Sequence, residues 1–267
     1  MKDEYWLNRV AKTQNAISDK TIAQVEKQLK IYYKNAMKKV IKEFESVYDK
    51  ILATVEDGKE ITPADLYKLD TYWKMQAQLK NEMQKLGDKE IELLSRAFEK
   101  EYYNIYLSAL PGLEPSTHFN TIAAETAKQV VNHVWLADGK NFSQRVWKNT
   151  KRLTETLNDE LIHCIAIGKP TSELKGMLQQ RFNVSYNNAD MLVKTEVAHV
   201  QTQAAMQRYK DAGLKYYQFY ADPDERTCGE CKHLHNKKFL YSEMIPGVNA
   251  PPMHPRDRCC IVPVVED

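Results

Sequence analysis

Glycine and proline are scarce in the first part of this 267-residue chain: residues 1–110 hold one proline, Pro63, and two glycines, Gly58 and Gly87. Proline removes a backbone donor and fixes φ, and glycine costs entropy in a helix, so their scarcity leaves this region open to nearly continuous helix. Long apolar runs are missing as well. No stretch approaches the roughly 18 consecutive apolar residues that a membrane span needs. The opening Met1-Lys2-Asp3-Glu4 lacks the apolar core of a signal peptide. Without an export signal a reducing cytoplasm is expected, where paired cysteines point to metal more than to disulfides. Charge of one sign is nearly cancelled, 38 Lys plus Arg against 36 Asp plus Glu. An excess of +2 is too small for a coat on bulk nucleic acid, though a local basic patch stays open. Glycine-rich phosphate loops and Gly-x-Ser-x-Gly are absent, which sets aside an ATP-driven motor and a serine hydrolase of that type. Internal repeats and low-complexity segments are also lacking.

What is present reads as mainly α, with a small α+β module at the C-terminal end. From about Thr21 to Glu56 apolar residues recur in steps of three and four, among them Val25, Leu29, Tyr33, Val40, Phe44, Tyr48 and Ile51. That spacing gathers them on one stripe of a helix on the order of 50 Å long. Asp57-Gly58 is the expected stop. Thr62 as N-cap and Pro63 at the first helical position open a second helix to about Leu86, and Gly87-Asp88 a third ending before Pro111. An elongated helical bundle over residues 1–110, a linker over 111–119 and a second module over 120–267 follow. In that module helices are expected over Thr121–Leu136, Ser143–Ile167, Thr171–Phe182 and Asn187–Gly213. Tyr216, Tyr217, Phe219 and Tyr220 then form a run of strand type.

Four of the five cysteines lie within residues 228–260, and five prolines lie in the last 22 residues. Cys228 and Cys231 form a C-x₂-C pair, whose turn aims two thiolates at one point. Zinc takes four soft or borderline ligands in a tetrahedron, commonly as two local pairs. His254 and Cys259 provide the second pair, on a loop stiffened by Pro251, Pro252 and Pro255. The expectation is a closed, structural zinc site at Cys228, Cys231, His254 and Cys259, with Cys260 as the alternative to Cys259. Cys164, on an apolar helix face, is read as core, and His233 and His235 as non-ligands.

The C-terminal half, about residues 120–267, resembles the minor head protein, or head morphogenesis, family of tailed bacteriophages, which includes protein F of phage Mu. The motifs appear in order: Phe142, Ser143, Arg145 and Trp147; Lys194-Thr195-Glu196 on a helix, then Gly213; Asp224, Thr227, Cys228 and Cys231; and Pro246 to Pro255. Members often end His-Pro-x-Cys-Arg-Cys. Here Asp257 stands at the first of those cysteines, which adds its carboxylate to Cys259 and Cys260 as alternatives for the fourth ligand. The resemblance implies a Mu F-like domain with a zinc-binding part over about 216–267. It further implies a non-catalytic minor capsid protein at the portal vertex inside the capsid, made in the host cytoplasm. Its partners would be the portal protein, other capsid or scaffolding proteins and DNA.

A zinc-supported endonuclease is the rival from another class. It would draw on His254, Asp257, Asp224 and Glu225, each of which has a simpler role as ligand, cap or solvated charge. One local basic block, Lys140, Arg145, Lys148, Lys151 and Arg152, has Phe142 and Trp147 interleaved and no acid between Asp138 and Glu155. It can contact phosphates non-specifically, or be an ordinary solvated helix face. Trp147 is read as core, and Lys194 and Glu196 as pairing with neighbours in the fold.

Overall fold

A computed structural model describes residues 2–53, 62–110, 119–222 and 224–264. Its elements run α1 (Lys2–Ala53), α2 (Pro63–Leu66), α3 (Asp70–Ser108), α4 (Phe119–Asn132), α5 (Phe142–Ala166), α6 (Thr171–Asp211), β1 (Tyr216–Tyr220), α7 (Gly229–Leu234), β2 (Lys238–Leu240), a 3₁₀ turn (Tyr241–Glu243) and β3 (Cys260–Val264). The protein is mainly helical, with one small antiparallel sheet in the order β2-β1-β3. The expected stop at Asp57-Gly58 and the linker expected over 111–119, up to residue 118, lie outside the described residues.

The chain packs as two compact units, one of residues Met1–Glu26, Leu93–Phe142 and Asp190–Asp267, the other of Lys27–Glu92 and Ser143–Ala189. In the first unit, β1 is the central strand. It pairs with β3 from Tyr216↔Val264 to Tyr220↔Cys260 and with β2 from Tyr216↔Leu240 to Gln218↔Lys238. Side chains of a strand alternate between faces. Tyr220, Cys260 and Val262 pack with Val10, Ala11 and Leu7 of α1, while Phe219, Ala221, Cys231 and Cys259 form a separate cluster. The start of α1 therefore covers one face of the sheet.

Apolar spacing places the start of this helix near Thr21, whereas it begins at Lys2. Its buried stripe does continue upstream, but with polar residues at two of the core positions. Gln14 and Ser18 are buried. The Gln14 amide donates to Tyr209 Oη (2.9 Å) and the Ile261 carbonyl (3.3 Å). The Ser18 hydroxyl lies 2.5 Å from Glu101, to which Thr21 also donates (2.6 Å). A buried polar group that keeps its hydrogen bonds can occupy a core position without an apolar signature.

Two further expected breaks are absent. The split at Phe182–Asn187 does not occur, because Asn183, Ser185 and Asn187 are weak helix formers but not breakers, and buried Phe182, Ser185 and Ala189 keep one stripe. Nor does Gly87 end a helix; α3 runs through it. In the second unit the Trp147 ring lies against this glycine, and a Cβ there would stand 2.4 Å from the indole. Gly87 thus permits a close approach between α3 and α5.

The second unit is filled by Leu29, Tyr33, Val40, Phe44 and Tyr48 of α1, Met75, Leu79 and Met83 of α3, Val146, Leu153 and Leu157 of α5, and Leu174, Leu178 and Phe182 of α6. Each such side chain contributes about 1.5–3 kcal/mol by leaving water. One acid is included: Glu90 is fully buried and accepts from Tyr33 Oη at 3.1 Å. Burial pushes its carboxyl up to about 7.

Gly87→Ala should cost about 1–3 kcal/mol by overpacking, despite alanine's better helix propensity, and Trp147→Leu in the same chain should recover most of that loss in urea titrations. Glu90 sets a pH dependence with a definite sign. Its folded pKa lies above the unfolded value, so the folded state holds the proton longer. Stability then falls as pH rises from about 4.5 to about 7 and stays low above that. Glu90→Gln keeps an acceptor for Tyr33 and should stabilise by about 2–3 kcal/mol at pH 8, with little effect near pH 4.5, read from urea midpoints.

Candidate metal centre

The centre is built where β1 ends and β3 begins. Past Tyr220 and Ala221 the chain turns over Asp224–Thr227, and Cys228 caps α7 from an extended conformation (φ −68°, ψ 162°), its Sγ accepting the Cys231 N–H at 3.4 Å. One short helical turn therefore brings the two sulfurs of the C-x₂-C pair together. The other side is the loop from Pro251 to Cys259. His254 Nε2 stands 3.8 Å from Cys231 Sγ, and Cys259 packs in the same cluster as Cys231, Phe219 and Ala221.

Two overlapping groups result. The ligand atoms of Cys228, Cys231 and His254 lie within 4.8 Å of one another, and so do those of Cys231, Asp257 and Cys259. Cys231 belongs to both. Cys260 points to the opposite face of the sheet, into the cluster with Val10, Ala11 and Tyr220. Cys164 is buried in α5 of the other unit. His235 Nδ1 accepts the Ala221 N–H at 3.1 Å and His233 lies 2.8 Å from Lys237; neither is in a metal-competent group among the described residues.

The local chemistry suits a thiophilic cation. The Cys231 N–H lowers the Cys228 thiol below its ordinary value. Burial pushes the Cys231 thiol up to about 12, and the Cys259 thiol rises further through burial and the neighbouring Asp257. Thiolates facing a carboxylate in a low-dielectric pocket are costly alone, and a divalent cation supplies the charge that makes them stable. His254 Nδ1 lies 3.0 Å from the Pro255 carbonyl. Donation from Nδ1 leaves Nε2, on the cysteine side, as the nitrogen with a free lone pair, the arrangement found for metal-bound histidines.

Asp257 and its two flanking arginines, none of which the sequence reading singled out for this purpose, shape the loop. Asp257 is buried, its Oδ2 accepting the Met253 N–H (2.7 Å) and its Oδ1 the Cys259 N–H (3.0 Å). Both carboxylate oxygens thus brace the loop that carries His254 and Cys259. Arg258 donates to Asp222 (3.1 Å) and twice to Asp224 (2.8 and 2.7 Å), tying the loop to the turn before Cys228. That guanidinium holds the Asp224 carboxyl well below the usual carboxylate range. Arg256 has positive φ (62°); its N–H donates to Thr195 Oγ1 (3.2 Å) and its guanidinium to Asp190 (2.9 Å) on α6. Charge alternation in His-Pro-Arg-Asp-Arg-Cys was the only trace of these ties in the sequence.

Of the Lys-Thr-Glu motif, Thr195 meets that loop directly, while Lys194 and Glu196 pair within the helical part. Lys194 lies 2.8 Å from both Glu26 and Asp190, Thr195 receives Arg256, and Glu196 accepts the Trp135 indole N–H at 3.0 Å. Of the basic block, Lys140 and Arg145 are half-buried, whereas Lys148, Lys151 and Arg152 are exposed on α5, with Lys151 3.9 Å from Glu155. Trp147 is half-buried, with its ring against Gly87.

Residues 155–262 match the family model for phage Mu protein F like protein. That span takes in the end of α5, all of α6, the sheet as far as Val262 and every residue of the centre. No curated protein and no solved structure matches the chain.

Asp257→Ala removes charge-assisted acceptors from the buried Cys259 N–H and the half-buried Met253 N–H and should destabilise the protein by about 2–4 kcal/mol. Asp257→Asn keeps one acceptor oxygen and should cost less. Thermal and urea unfolding of the two variants, compared with the unsubstituted protein, checks the order.

Proposed function

Given a phage Mu protein F-like region over residues 155–262, we propose that this chain is a minor head protein of a tailed bacteriophage, acting in head morphogenesis rather than in catalysis. The observation that carries the reading is the family match over a region that contains the whole cysteine and histidine centre. In this reading the protein sits at the portal vertex inside the capsid. It contacts the portal protein and other capsid or scaffolding proteins, and meets packaged DNA through exposed basic side chains that include Lys148, Lys151 and Arg152.

The centre serves as a structural zinc site held by Cys228, Cys231, His254 and Cys259. Bound zinc supplies charge neutralisation and a cross-link, and a four-ligand protein shell keeps no position for substrate. The surrounding acids support a structural role. Asp257 is committed to two backbone donors and Asp224 to Arg258 and Arg226, so each already has a role in holding the loop and turn.

Sedimented virions should contain this chain at low copy, and labelled antibody should place it at the portal end of the head. Its absence from virions would overturn the reading. Purified protein should carry about one zinc per chain, and Cys228→Ser should release it and lower the melting temperature. The endonuclease alternative makes an opposite prediction: plasmid cleavage with Mg²⁺ or Mn²⁺ that His254→Ala abolishes in a folded protein.

A further inference from the structure

The outer face of α1 in the second unit carries a charge pattern that the cysteine centre does not involve. From Lys27 to Lys42 this helix holds six lysines and no Asp or Glu. Lys39 is engaged 3.0 Å from Glu82 of α3. The other five, Lys27, Lys30, Lys34, Lys38 and Lys42, form no ion pair among the described residues, and all five are exposed.

Their placement is one-sided. At 100° per residue these five fall within an arc of about 120°. Tyr33, which packs inward, and Lys39, which faces α3, both lie outside it. Lys30, Lys34, Lys38 and Lys42 are spaced by four, a charge about every 6 Å along about 18 Å of helix. The neighbouring helices do little to cancel this field. No acid occurs between Asp138 and Glu155 on the α5 side, or between Glu173 and Asp190 of α6. These stretches meet α1 where Asn149 donates to Tyr33 Oη (3.1 Å) and to the Ser185 carbonyl (3.0 Å). Glu90, the carboxyl bonded to Tyr33, is fully buried, and Glu45, beyond the row, is drawn to Lys175 at 3.8 Å.

We propose that the row Lys30, Lys34, Lys38 and Lys42, with Lys27 beside it, is a docking surface for the phosphate backbone of duplex DNA. A membrane surface fits poorly, because the apolar side of this helix, Leu29, Tyr33, Val40 and Phe44, is buried in the unit and has nothing to insert. Single strands are gripped by exposed aromatic platforms. Here Ile31 is the exposed large apolar side chain of the segment, and the Lys89 ammonium lies 5.8 Å from the Tyr32 ring centroid. Protein interfaces centre on aromatic and arginine anchors and are depleted of lysine. A slanted ridge of flexible point charges on a rigid helix suits a rigid polyanion, and it positions DNA without reading sequence. This inference does not rest on the head-protein reading.

The test uses the full chain and a duplex of about 30 base pairs, read by fluorescence anisotropy across a salt series. Four to five phosphate contacts predict a slope of log K against log salt of about −4, independent of base sequence. The variant Lys30→Gln/Lys34→Gln/Lys38→Gln/Lys42→Gln should flatten that slope by about three to four, with circular dichroism and urea midpoint unchanged. The fourfold Lys→Arg variant should keep it. A steep slope retained in Lys148→Gln/Lys151→Gln/Arg152→Gln supports α1 as the main surface. The proposal is overturned if the fourfold Gln variant keeps the full slope, if the unsubstituted protein shows no duplex binding at 50 mM salt (about 0.05 M, where phosphate contacts are strongest), or if oligo-dT or phosphatidylserine vesicles bind more tightly than duplex at equal salt.

Discussion

Strand β3 is buried on both faces, and a strand's two-residue period then decides what each of its side chains can reach. Cys259 precedes the strand and faces the cluster of Cys231, Phe219 and Ala221. Cys260, one residue on, faces α1. A slip of one residue against β1 would exchange the two sulfurs. It would also push Ile261 and Val262 through the sheet, so the register that closes the apolar core is the register that assembles the cysteine centre. Packing and ligand geometry here are a single constraint.

Around that register, charge does the remaining positioning. The loop from Pro251 to Cys259 is fastened at three places: by Asp257 to its own backbone, by Arg258 to the turn before Cys228, and by Arg256 to α6. Bidentate arginine–carboxylate geometry is directional, so such ties orient a loop as well as hold it. The arrangement divides its work between ligand atoms that converge and side chains that hold the loop. Asp257, which stands where a cysteine is common in the resembling family, takes part in both: its carboxylate lies with Cys231 and Cys259 and accepts two backbone N–H bonds of the loop.

Much of the helical fold was readable from apolar spacing, and the strand at Tyr216–Tyr220 from its aromatic run. The approach of Cys228, Cys231, His254 and Cys259 was readable from ligand spacing. What escaped did so for physical reasons. Gln14 and Ser18 disguise a buried stripe because hydrogen-bonded polar groups can stand in a core. Gly87 looks like a stop because sequence does not show that an indole will lie against it. Asn183–Asn187 looks like a break because propensity is local, while the burial of Phe182 and Ala189 is not. The choice between Cys259 and Cys260 needed the strand's facing, and the roles of Arg256 and Arg258 needed the partners that a linear reading cannot supply.

The seat of α1 on the sheet has a consequence for the order of events during synthesis. Gln14 bonds the carbonyl of Ile261, 247 residues away, and Val10 and Ala11 cover Cys260 and Val262. At about 5–20 residues per second, the first turns of α1 leave the ribosome roughly 10–50 s before the strand they cover has been made. Over that interval Leu7, Val10 and Ala11 form an amphipathic segment without its partner, open to chaperones or to the strand of another copy. Closing so long a loop is slow relative to local helix formation. The first unit therefore completes its core only after translation has reached β3, and a ribosome stalled before that point would hold an exposed helix face.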